Sequence, residues 1–98
     1  MAKTDLSVEM KKYSVSIEYC VPCDYSEQVF SAVQELIYNY QHIIDTLVII
    51  TGSHGVFDIK VDDKVLFSKK EYKRFPKSGE VVELFKKQVG TNVPTYPR

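Results

Sequence analysis

The chain of 98 residues has two cysteines, Cys20 and Cys23, separated only by Val21 and Pro22. A pair so spaced can do dithiol chemistry, in which one sulfur attacks a disulfide as a thiolate and the other resolves the resulting mixed disulfide. Both sulfurs must reach the same point, and two intervening residues suffice. A bond between them closes almost no loop and adds little stability. In a reducing compartment the pair therefore reads as catalytic, redox-sensing or metal-binding. An inert reduced pair and a zinc half-site are the alternatives. Zinc wants four ligands, and the other soft candidates, His42 and His54, are spaced unlike any common zinc finger.

Three neighbours of this pair bear weighing. His54 sits in Gly52-Ser53-His54-Gly55, a loop that would face the dithiol if the following strand ran antiparallel to the first. There it could assist a thiolate electrostatically; a solvent-exposed loop histidine is the plainer reading. Glu18 is either a carboxylate base or a polar residue on an open sheet face. The run Lys69, Lys70, Lys73, Arg74 and Lys77 has aromatic company in Tyr72 and Phe75. Glu71 and Glu80 interrupt it, and it reads as a solvated loop rather than a nucleic-acid surface.

The elements that must position these residues follow from periodicity. Tyr13, Val15, Ile17 and Tyr19 alternate with Ser14, Ser16 and Glu18, a half-buried strand that delivers Cys20 at its end. Val29, Phe30, Val33, Leu36, Ile37 and Tyr40 share one helical face, giving a helix over 25–40, with His42 an exposed residue beyond it. Thr46 to Thr51 is a β-branched apolar strand. Phe57, Ile59 and Val61 form a hairpin with Val65, Leu66 and Phe67 across Asp62-Asp63-Lys64, a turn of uncertain type because it lacks glycine. Lys69 to Lys77 is a loop. Ser78 is the expected N-cap of a helix over 79–89 that carries Val81, Val82, Phe85 and Val89 and stops at Gly90.

The order β-α-β-β-β-α implies a right-handed parallel crossover followed by an antiparallel hairpin in the same sheet. The expected fold is α/β, a thioredoxin-like two-layer sandwich with a four-stranded mixed sheet and both helices on one face. The dithiol then ends a strand and opens a helix, with Cys23 entering the first helical turn. Unpaired N–H groups and the helix dipole favour a thiolate on whichever sulfur faces them; one cysteine is expected to be partly exposed and reactive and the other more buried. This placement, more than the CxxC itself, points to thiol–disulfide chemistry. Residues 1–12 read as a polar extension, 13–90 as the domain and 91–98 as a tail that stays mobile unless a neighbour orders it.

Thirteen acidic and thirteen basic residues cancel, so bulk charge favours neither nucleic acid nor a membrane. No apolar run approaches the roughly 20 residues of a membrane span, and the first dozen residues lack the apolar core of a secretory signal. The cytoplasm is the expected compartment. No cofactor or metal is implied.

With these elements placed, the sequence resembles the selenoprotein W family in its bacterial, all-cysteine branch. The resemblance spans roughly 13–89. It rests on Tyr19-Cys20-Val21-Pro22-Cys23, on Gly55-Val56-Phe57-Asp58-Ile59 leading through Val61-Asp62 to Phe67-Ser68-Lys69, and on Phe75-Pro76. It implies a thioredoxin-like fold with the CxxC as redox site, Cys23 matching the position that selenocysteine holds in animal members. Thioredoxin logic makes Cys20 the attacker, whereas the selenium position points to Cys23, and the attacking cysteine stays open. Gly52-Ser53-His54-Gly55 lacks the cis-proline of the thioredoxin family proper.

A thiol–disulfide oxidoreductase is therefore expected, with Cys20 and Cys23 catalytic, His54 assisting, and protein or glutathione disulfides as partners. The rival is a redox-responsive binding module without turnover; a zinc-binding CxxC protein ranks third. Leu47 and Ile49 on one side of the second strand, with Val48 and Ile50 on the other, are surplus apolar surface for a two-layer edge. They suggest association with a second copy through the open sheet face.

Overall fold

The computed structural model describes residues 11–98. Most of the expected N-terminal extension, residues 1–10, lies outside them. Strand β1 (Tyr13–Cys20) buries Val15 and Ile17 and turns Ser14, Ser16 and Glu18 to the other side. It pairs in parallel with β2 (Ile44–Gly52), Val15 opposite Leu47 and Ile17 opposite Ile49. On its other edge it pairs antiparallel with β3 (Phe57–Val61), Ile17 opposite Ile59 and Tyr19 opposite Phe57. β4 (Lys64–Ser68) completes the mixed sheet, in the order β2-β1-β3-β4, with a bulge opposite Ile59/Lys60. The hairpin turn without glycine is built by Asp62 and Asp63, both at positive φ (50° and 67°), as a type I′ turn requires. Asp62 also accepts the Ser14 N–H at 3.0 Å, tying the turn to β1.

Helix α1 (Ser26–Tyr40) and helix α3 (Glu80–Val89) lie on one face of the sheet. Val29, Ala32, Leu36 and Tyr40 from α1 and Val81 and Phe85 from α3 join Val15, Ile17, Phe57, Ile59, Val61 and Phe67 in a single core. This is the two-layer architecture that the alternation in β1 requires. The buried face of α1 is narrower than the sequence suggests. Phe30 is 68% exposed and Ile37 is also exposed. Each sits one residue, about 100° around the helix, past a core position, while Ala32 takes the central place and lets the helix approach the sheet.

A one-turn helix, α2 (Lys69–Tyr72), occupies the stretch read as loop and ends at Lys73 in the left-handed conformation (φ 61°). Nor is Ser78 the N-cap of α3. Gly79 holds that position at φ 82°, with no side-chain cap of its own. Glu35 of α1 supplies the acceptors instead, taking the Gly79 N–H at 2.8 Å and the Val82 N–H at 3.2 Å. A carboxylate suits the positive end of the helix dipole better than a hydroxyl, and here it also fixes the two helices to each other.

Glu80 closes the same corner. Arg74 grips its carboxylate with two hydrogen bonds of 2.7 and 2.9 Å, and the Lys77 N–H adds a third. Together they hold the Glu80 carboxyl down at about 2, against about 4.3 in an unfolded chain. A depressed folded-state value means that the stabilisation is complete above about pH 5 and is lost as pH falls towards 2. Glu80→Gln is therefore expected to lower the urea midpoint at pH 7 and to match wild type near pH 2. Equal midpoints at both pH values would show that the pair contributes nothing.

Residues 91–98 run back across the end of α1. The Tyr96 N–H donates to Asn39 O at 2.7 Å, and the Arg98 guanidinium lies 3.7 Å from the Tyr38 ring centroid. His42, read as exposed, is instead 7% exposed. The returning chain covers it: its Nε2 donates to Pro94 O at 3.0 Å and its ring lies between Tyr40 and Tyr96. Among the described residues, no helix is long and apolar enough to cross a membrane.

Candidate redox site

β1 ends by burying Cys20, which is 1% exposed. The chain then turns through Val21 and Pro22 and presents Cys23 at the surface. Cys20 and Cys23 form a disulfide across a Cα–Cα distance of 5.3 Å. The turn is closed by Asp24 N–H to Val21 O (2.9 Å) and Tyr25 N–H to Cys20 O (3.4 Å). Asp24 adopts φ 57°, a conformation that interrupts helical winding, so α1 begins only at Ser26. Cys23 thus lies in the turn before the helix, not in its first turn as expected. Because the dipole acts mainly within the first turn, it reaches Cys23 less strongly than the sequence suggested.

Two further hydrogen bonds anchor the motif to the loop between β2 and β3: Cys20 N–H to Val56 O (2.8 Å) and Val21 N–H to Gly52 O (3.0 Å). This brings Gly52-Ser53-His54-Gly55 beside the dithiol, as the antiparallel course of β3 demands. His54 is exposed at φ 62°, and its Nδ1 shares a 2.8 Å hydrogen bond with Ser53 Oγ. Gly52 is opposite Cys20 in the parallel register. A Cβ at Gly52 would fall 2.7 Å from Glu18 Oε2 and 3.0 Å from Val56 Cγ1, so a side chain there would displace the Glu18 carboxylate from its present position. Glu18 lies on the sheet face opposite the core, with Asp58 and Ile50 as its cross-strand partners.

On the β3–β4 side of the motif, Tyr25 meets Phe75 edge to face at 4.7 Å, and Phe75 meets Phe57 at 5.5 Å. Lys69 Nζ lies over both Tyr25 and Phe75. The aromatic chain links the dithiol turn to the core, and nothing in the spacing of Tyr25, Phe57 and Phe75 announced it. The unequal exposure of the two cysteines was expected; which of them is the exposed one was not legible beforehand, since it depends on how the chain turns after β1. Among the described residues, no three His, Cys, Asp or Glu side chains gather in a way that could hold a metal ion. His42 is committed to the C-terminal segment, apart from this loop cluster.

A sequence model described as the Rdx family matches residues 14–87. The fold is similar to the crystal structure of a selenoprotein W-related protein from Vibrio cholerae, with a TM-score of 0.76 at 19% identity over 82% of this chain and all of that one. It is also similar to a protein from Bordetella parapertussis, with a TM-score of 0.72 at 20% identity over 79% of this chain and 98% of that one. At these identities the structural likeness speaks to the fold. No curated protein sequence matches significantly.

Proposed function

The chain belongs to the Rdx family, and on that premise we propose that it is a thiol–disulfide oxidoreductase in which Cys23 attacks and Cys20 resolves. The redox-related role fits the family and the Cys20–Cys23 disulfide. The observation that carries the finer reading is the unequal exposure of two bonded sulfurs: an attacker must be reached by a protein-sized disulfide, and a resolver need only reach the attacker.

In the reduced protein the Cys23 thiolate attacks one sulfur of a substrate disulfide, forming a mixed disulfide and expelling the first substrate thiolate, which takes a proton from solvent. Cys20 then loses its proton and attacks Cys23 Sγ, expelling the second substrate thiolate. The substrate disulfide has gained two electrons and two protons, and the protein is left as the Cys20–Cys23 disulfide. A cellular thiol reductant must restore the dithiol, which suits the cytoplasm as the working compartment. His54, in the loop anchored to Cys20 and Val21, is proposed to favour the attacking thiolate electrostatically.

Turnover of hydroxyethyl disulfide with an excess of a thiol reductant tests this reading. Many turnovers per chain, absent in the Cys20→Ser/Cys23→Ser double variant, are expected. A single stoichiometric oxidation would leave a redox-responsive binding module in its place.

A further inference from the structure

The apolar residues of α1 that the core rejects are not scattered. Phe30 joins Tyr19, Ser26, Val29, Val33 and Ile49 in lining a groove of about 260 Å³ between α1 and β2. Tyr19 immediately precedes Cys20 and Ser26 follows Cys23 by three residues, so the groove opens beside the dithiol. At this size it is below the usual range of sites that enclose a whole small molecule; it suits one or two side chains of a longer partner. Among the described residues β2 is an edge strand, and from Thr46 to Thr51 it carries neither the lysine nor the proline that commonly blunts an exposed edge.

The zero net charge conceals a marked division. Residues 13–59, which build β1, the dithiol turn, α1, β2 and the start of β3, contain six Asp or Glu and no Lys or Arg. Residues 60–98 contain ten Lys or Arg and five Asp or Glu. The groove and its edge strand therefore stand on the acidic half, with Asp24, Glu27 and Asp45 exposed. Lys69 lies on the other flank of the motif, over Tyr25 and Phe75.

We propose that the groove is the docking site for an extended, basic polypeptide segment that carries the substrate disulfide. The segment pairs with the free edge of β2, sets an apolar side chain between Phe30 and Ile49, and brings its disulfide to Cys23 at the Gly52 end of the strand. The acidic half attracts a cationic partner by long-range steering. It repels glutathione disulfide, whose carboxylates outnumber its ammonium groups. It also opposes a second copy docking β2 to β2, because that would bring two acidic halves together.

This inference rests on the oxidoreductase reading, and the experiment separates the two. The full chain is reduced, and its oxidation is timed against peptides closed by one disulfide, identical except that a leucine is flanked by lysines in one and by glutamates in the other. The lysine peptide is expected to react about tenfold faster at low ionic strength, with the gap closing at high salt. Glu27→Lys/Asp45→Lys is expected to shrink that preference. Phe30→Ser is expected to narrow the rate ratio between the lysine peptide and its leucine-to-serine counterpart. Equal rates for the lysine and glutamate peptides at low salt overturn the inference while leaving the oxidoreductase intact, whereas no reaction even with hydroxyethyl disulfide overturns both. A dimer that Phe30→Ser dissociates would assign the groove to a second copy. A chain lacking residues 1–10 that reacts much faster with both peptides would assign it to the chain's own N-terminal segment. Either result overturns the proposal.

Discussion

Cys23→Ser is expected to abolish reaction with disulfides, a fall of at least about a thousandfold, whereas Cys20→Ser is expected to complete the first attack and stall as a stable mixed disulfide. The difference follows from position. Cys20 is 1% exposed and its N–H is bonded to Val56 O, so a substrate sulfur cannot approach it in line without local opening. Cys23 stands on a turn facing solvent, and its attack requires no such opening. The same contrast sets alkylation rates. The free Cys23 of Cys20→Ser should be modified at least about tenfold faster than the free Cys20 of Cys23→Ser, because the buried thiol reacts only from a rare open state. Mass spectrometry of the reduced variants after alkylation or after challenge with hydroxyethyl disulfide reads both outcomes. Faster modification of Cys20, or a trapped adduct on Cys20 alone, would reverse the assigned roles.

Phe57→Ala is expected to cost about 3–5 kcal/mol. Phe57 is fully buried, paired across the sheet with Tyr19, and in edge-to-face contact with Phe67 and Phe75. Its removal opens a cavity where β3 meets the aromatic chain leading to Tyr25, and well-packed surroundings relax only partly to fill it. A domain of this size has on the order of 5–15 kcal/mol in total, so the variant should be marginal or unfolded at 37 °C. Val65→Ala is the contrast. Val65 is exposed on the sheet face opposite the core and should change stability by less than about 1 kcal/mol. Urea unfolding of the two variants beside wild type reads the difference. A Phe57→Ala protein nearly as stable as Val65→Ala would mean that the aromatic chain is not the support it looks to be.

Much of the frame was legible in the residues because local periodicity and global burial agree. The alternation in Tyr13 to Tyr19 matched the inner and outer faces of β1, and the hydrophobic run of β2 and the hairpin of β3 and β4 fell where pattern put them. Where one residue more or less decides which way a side chain points, the pattern was not enough. Phe30 and Ile37 have the spacing of a broad helical face, yet the sheet admits only the stripe through Val29, Ala32, Leu36 and Tyr40. His42 looks like an exposed residue at a helix end until the segment at Pro94 and Tyr96 returns over it. Ser78 has the right chemistry to cap a helix, but Gly79 and the distant Glu35 take that role.

At the dithiol the division is sharper. The two sulfurs, their spacing, their place at the end of a strand and the family pattern around them could all be read from the residues, since these depend on neighbours in the chain. Which sulfur meets solvent could not. That depends on β3 running antiparallel beside β1, which bonds the Gly52–Val56 loop to the Cys20–Val21 backbone, and on the left-handed Asp24, which delays α1 until Ser26 and leaves Cys23 on an open turn. The charge division was present in the residues from the start, but it acquired a direction only on folding. Folding sets the free edge of β2 and the groove under Phe30 on the acidic half, because a parallel β-α-β crossover keeps residues 13–52 together at one side of the sheet.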